Sequence, residues 1–260
     1  MIKEIYLDNA PCTLQVTLRT GKAEKIWLKI SNADKEYTYY TKRYCKINGT
    51  QSLFVRMPLA PQRAFIIIYN DNNKTEKKDS SFKLVGINIL PLQTNYLKMS
   101  KRTKSFVAFC QEFCSEAGYC PASAKGIKYF SDNRKFRIDY FDIIRSKTNG
   151  TFISTPARIS QNTGKIEVSK KAFQKYSIPM RMAILLHEYS HFNLNKKPSS
   201  EIESDINGLN IYLSLGYPRI DAYNVFLNVF KKSQNKANLK RFIKLDNFIK
   251  NFDYNNNKLI

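Results

Sequence analysis

Apolar and polar residues alternate through the first hundred positions of the chain. Leu14, Val16 and Leu18 share one side of an extended segment, and Ile26, Leu28 and Ile30 repeat the spacing. Successive side chains of a strand point to opposite faces, so a period of two predicts half-buried strands. Runs rich in β-branched and aromatic residues at 36–41 (EYTYYT), 52–57 (SLFVRM), 64–69 (AFIIIY) and 82–90 (FKLVGINIL) extend the pattern. Thr20 with Gly21, Asn48 with Gly49, Pro58 and Pro61 carry turn chemistry, and the polar run 70–81 reads as a mobile loop. Roughly six short strands separated in this way predict a small antiparallel β-sandwich over residues 1–98. It holds no cluster of catalytic residue types, so its expected role is binding or assembly.

From residue 99 onward the period changes. Apolar residues between Thr103 and Ala117 fit an amphipathic helix ended by Gly118. Strand-like segments follow at 127–130, 135–144, 155–160 and 164–168, the last two joined by Gln-Asn-Thr-Gly as a hairpin. After a short helix near 170–176, Pro179 suits the first turn of a longer one. Its first half, Met182 to Leu186, is apolar nearly all round and therefore buried. Residues 219–232 and 237–252 predict two further helices, and the tail DYNNNKLI is expected to fray. The fold class is α+β: an antiparallel sandwich at 1–98 followed by an α/β domain at 99–260.

The buried helix carries His-Glu-Tyr-Ser-His at 187–191, and these are the chain's two histidines. One helical turn separates His187 from His191, so both imidazoles can bind one Zn²⁺, with Glu188 beside them as a general base. Polar groups on a buried helix are costly unless something pairs them, and a metal does so. A hydrolytic zinc site needs a third protein ligand. Ser200 caps the next helix in a capping box with Glu203, and the short connection makes the two helices antiparallel neighbours. Glu201 can then reach the metal as third ligand, and Asp205, a turn further on, can accept the free ring N–H of a ligand histidine. Gly208 would let the two helices approach closely.

HEYSH followed by EIESDINGLNIYLSLGYP resembles the zincin metallopeptidases, specifically the M48-like gluzincins with a Glu-x-x-x-Asp motif. The likeness covers roughly residues 155–220. It implies a zincin-like metallopeptidase domain that cuts peptide bonds. It also implies His187, His191 and Glu201 on Zn²⁺, Glu188 as base and Asp205 behind the ligands. The hairpin before the motif resembles the zincin edge strand, along which a peptide substrate pairs. Nine residues separate His191 from Glu201, fewer than in most such proteins, which leaves Glu203 and Asp205 as alternative third ligands. Tyr189, Tyr212, Tyr217 and Arg219 are candidate oxyanion donors.

Composition changes the picture in three respects. A net charge of +22 favours polyanionic or acidic partners. Its lysines are scattered without a nucleic-acid motif, so nucleic acid is not expected as a specific partner. Five cysteines, an odd number without a CxxC pair, together with an N-terminus lacking an apolar signal core, predict reduced, inert thiols in the cytoplasm or another reducing compartment. No apolar run is long enough to span a bilayer. The expected partner is a protein or peptide substrate. The competing expectation is a structural protein, for example a phage virion component, docked into a larger assembly by the β module.

Overall fold

The structure is a computed structural model that describes residues 1–35, 37–70, 81–94, 99–230 and 235–252. The class is α+β, and the chain divides into two compact units, Met1–Gln93 with Gly216–Pro218, and Thr94–Leu215 with Arg219–Ile260. The expected loop at 70–81, the module boundary at 98 and the frayed tail fall largely or wholly outside the described residues.

The first unit contains strands β1 (Ile2–Tyr6), β2 (Cys12–Asn32), β3 (Tyr39–Met57), β4 (Arg63–Asn70) and β5 (Phe82–Pro91). They form one antiparallel sheet in the order β1-β4-β2-β3, with β5 also pairing β2. Two of the strands are far longer than the short ones the alternation predicts. Thr20 and Asn48, each with the glycine after it, do not reverse the chain. They face each other across β2 and β3, where the register jumps between Thr20↔Gly49 and Glu24↔Ile47. Gly49, at φ +70°, absorbs that irregularity at little cost. Beyond it β2 changes partner: Cys12–Thr20 pairs with β5, and Ile26–Asn32 pairs with β4. The alternation survives the bend, since Leu14, Val16, Leu18, Ile26, Leu28 and Ile30 are all fully buried.

In the second unit, α1 (Lys101–Glu116) precedes strands β6 (Ile127–Phe130), β7 (Arg137–Phe141), β8 (Ala157–Ile159) and β9 (Ile166–Ser169). Their order is β6-β7-β9-β8; β7 and β9 run parallel, and β8 lies at the edge. Helices α2 (Lys170–Phe173), α3 (Ile178–Asn193), α4 (Glu201–Ser214), α5 (Arg219–Phe230) and α6 (Lys236–Asn251) follow. Among the described residues no helix is long and apolar enough to cross a membrane. The inward face of the sheet, Ile138, Tyr140, Ile166 and Val168, is buried, and Tyr140 meets Phe113 of α1 edge-on.

Helix α3 is the axis of this unit and packs against α1, α4, α5 and β8. Ser177 caps its start by accepting the N–H of Met180, and the same hydroxyl bonds Asp221 at the start of α5. Met182–Leu186 is buried as its apolar run predicts, and Arg181, immediately before it, is completely buried as well. Its guanidinium donates to Cys114 O in the last turn of α1 and to Phe173 O and Gln174 O at the end of α2. A cation there satisfies carbonyls that helix ends leave unpaired and offsets two C-terminal dipoles.

The thiols of Cys110 and Cys114 lie within this core, and burial pushes both well above the ordinary cysteine value. Thiolate is the reactive form. Alkylation by iodoacetamide near pH 8 is therefore expected to be at least about tenfold slower at these two residues in the native chain than in the urea-unfolded chain. Peptide mass spectrometry reads this directly, and equal rates would contradict their burial.

Candidate metal centre

Two helices build the site. Helix α3 carries His187, Glu188 and His191, and α4 crosses it with Glu201 and Asp205 in its first two turns. Gly208 makes the crossing close: a Cβ there would lie 2.9 Å from His187 N, 3.0 Å from Leu186 C and 3.1 Å from His187 Cα. Only a glycine fits against that backbone. The Ser200 hydroxyl accepts the Glu203 N–H, but the capping box is incomplete. The Glu203 carboxylate turns back to the Lys197 N–H, away from the site.

His187, His191 and Glu201 converge. The two Nε2 atoms are 3.1 Å apart, and the Glu201 carboxylate oxygens lie 3.5 Å from His187 Nε2 and 3.6 Å from His191 Nε2. Tetrahedral ligands on bonds of about 2.0–2.1 Å stand roughly 3.3–3.4 Å from one another, so the triangle has the size a zinc-like ion requires. This group could hold a metal ion.

The hydrogens on the rings support the same reading. His191 Nδ1 lies 2.6 Å from the Pro198 carbonyl oxygen, an acceptor only, so Nδ1 carries the hydrogen. His187 Nδ1 lies 2.9 Å from Asp205 Oδ1, close but off the line of a well-formed hydrogen bond. A carboxylate there likewise favours the hydrogen on Nδ1. Both Nε2 lone pairs then face inward, an arrangement that repels unless a cation lies between them.

The surrounding charge favours a dication. Three acids, Glu188, Glu201 and Asp205, stand around the imidazoles against one guanidinium, Arg241. Burial alone would lower the His187 pKa, but Asp205 and Glu201 raise it to about 10, so that in the absence of a metal a proton takes the cation's place. The hydrogen bond to His187 holds the Glu201 carboxyl down at about 2. Burial raises Glu188, with the two histidines opposing the shift, and its carboxylate accepts the Ile159 N–H of β8.

Arg241 of α6 is the residue of this cluster that the sequence did not announce. Its Nε and Nη2 grip Asp205 at 2.8 and 3.0 Å, and Nη2 also reaches Glu201 at 3.0 Å. Asp205 is thus committed to Arg241 and His187, leaving Glu201 as the carboxylate facing both Nε2 atoms.

A cleft of about 310 Å³ opens over the site, bordered by Thr155, Arg158 and Ile159 on the strand side and Val225 and Phe226 on α5. None of Tyr189, Tyr212, Tyr217 and Arg219 lines it. The three tyrosines are buried elsewhere; Tyr189 stacks on Phe106 and bonds Thr103, and Arg219 donates to Phe252 O. Their nearness in sequence is not nearness in space. Gly164 of the β8–β9 turn seats on Phe192 of α3, and a Cβ there would lie 2.7 Å from that ring. No protein-family model, curated protein or solved structure matches the chain.

Proposed function

We propose that this protein is a zinc-dependent peptide-bond hydrolase and that its second unit is a zincin-like metallopeptidase domain. The observation carrying this reading is the convergence of His187 Nε2, His191 Nε2 and Glu201 at tetrahedral separations beside a half-buried acid, Glu188, that lines the same cleft. Zinc held by those three residues would supply Lewis acidity to a water molecule and to the scissile carbonyl. Glu188 takes the proton of the attacking water and returns it to the leaving amine, and its raised pKa brings it closer to working pH. The Ile159 N–H holds that carboxylate in place. Strand β8, at the sheet edge beside the cleft, can take an extended peptide as an added strand. The sheet of the first unit, folded over as a β-sandwich, would serve binding or assembly.

Metal content and peptide turnover test this together. The purified chain is expected to carry about one equivalent of zinc, which His187→Ala removes. Glu188→Gln should retain the zinc and lose about 10²–10⁴-fold in peptide turnover, because the proton acceptor is gone. A zinc-loaded Glu188→Gln that cuts a peptide library at the wild-type rate would overturn the assignment.

A further inference from the structure

The outward face of the second sheet carries a charge arrangement that lies outside the ligand set of the metal centre. Asp139 of β7 and Glu167 of β9 are direct cross-strand neighbours and are 3% and 6% exposed. Like charges directly opposite on a sheet repel, and no helix is needed to bury these two, because cationic side chains fold over them. Arg137 grips Asp139 with two N–H groups, at 2.5 and 2.8 Å. Lys165 reaches the same carboxylate at 2.8 Å, Arg158 holds Glu167 at 2.6 Å, and Lys147 approaches it at 3.6 Å. Two acids thus anchor four bases, and Lys135 adds a fifth cation with no carboxylate partner among the described residues.

The surplus converges on one place. Lys135, Arg137, Lys147 and Lys165 line a pocket of about 390 Å³ with the hydroxyls of Ser160 and Thr163. Neutralising two buried acids would take two bases, so the array carries three positive charges beyond that need. The acids also preorganise it: Arg137 and Lys165 are tethered from beneath and need not be ordered when a ligand arrives. Arg137 is further covered by its approach to the ring of Phe130, at 5.9 Å. The pocket shares no lining residue with the metal cleft.

We propose that this pocket binds a phosphate-type dianion, either free phosphate or the phosphoryl group of a small ester. A dianion fits the site better than a monocarboxylate does. It has oxygens enough for bases arriving from β7, from the β8–β9 turn and from the segment that carries Lys147, and it neutralises more of the surplus.

Calorimetric titration of the full chain with inorganic phosphate, and separately with O-phosphoserine, at about 150 mM NaCl provides the test, since salt screens diffuse surface attraction. Saturable binding of phosphate is expected, weakened at least about tenfold by Lys135→Ala with Lys147→Ala. It should be unchanged by Lys46→Ala with Lys83→Ala, which remove two exposed lysines of the first unit. Binding of both probes assigns the site to a phosphoryl group, and binding of phosphate alone assigns it to the free ion. Equal weakening by the two lysine pairs would reduce the effect to net charge and overturn the proposal. Loss of binding in His187→Ala would place the phosphate at the metal cleft and overturn it equally.

Discussion

Gly208→Ala is expected to cost the protein most of its metal affinity without touching a ligand. Alanine is the better helix former by about 1 kcal/mol, which alone would stabilise α4. Its methyl group, however, would fall 2.9–3.1 Å from backbone atoms of Leu186 and His187, and backbone cannot swing aside as a side-chain tip can. Overpacking of this kind costs about 1–3 kcal/mol, so the clash outweighs the propensity gain. Relief comes only by moving α4 away from α3, which carries Glu201 away from both Nε2 atoms and Asp205 away from His187. Perturbing the supports of a metal ligand typically costs about 10–100-fold in affinity, and a loss of that size is expected here. Competition with a zinc chelator measures it. Wild-type affinity in Gly208→Ala would mean that α4 supplies no ligand, and the three-residue site would have to be abandoned.

Arg241→Met should produce the largest loss of stability of any single change at the site. Asp205 is 1% exposed, and both of its oxygens are held by the Arg241 fork. Removing one member of a buried ion pair leaves an uncompensated charge, a penalty of about 3–5 kcal/mol. Lysine in place of Arg241 should rescue little, because one ammonium cannot reproduce two parallel N–H donors. Asp205→Asn introduced together with Arg241→Met should recover part of the loss, since it removes the stranded charge. Urea unfolding midpoints of the three variants and the wild type decide this. Arg241→Met within about 1 kcal/mol of wild type would mean that the fork is ornamental, as many exposed ion pairs are.

The parts of this molecule that could be read from sequence were those written in local spacing. His187 and His191 lie one turn apart on any helix, Ser200 sits where a cap belongs, and Gly208 follows at helical spacing from two acids. Alternation at Leu14, Val16 and Leu18 named the buried face correctly. It could not say that β2 continues past Gly21, because the same Thr-Gly pair that signals a turn also suits a bend shared with Gly49 on the facing strand. Arg241 was invisible for another reason. It lies thirty-six residues beyond Asp205, flanked by Lys240 among other surface lysines, and only tertiary packing separates it from them. The acceptor for His191 is the backbone carbonyl of Pro198, which no residue type encodes. Tyr189 and Tyr212 failed as oxyanion donors because a helix points most of its neighbours away from any one site.

Arg181 also bears on the order in which the second unit can be assembled. The last turn of α1 closes its hydrogen bonding through a donor sixty-seven residues later in the chain, and α2 ends on the same group. Neither helix end is complete until α3 has arrived, and α3 in turn carries the two histidines. The helix that carries His187 and His191 therefore belongs to a single cooperative unit with the segment beginning at residue 101. A fragment cut down to the motif and its neighbours would lose the carbonyls that Arg181 requires, leaving a buried cation with nothing to hold.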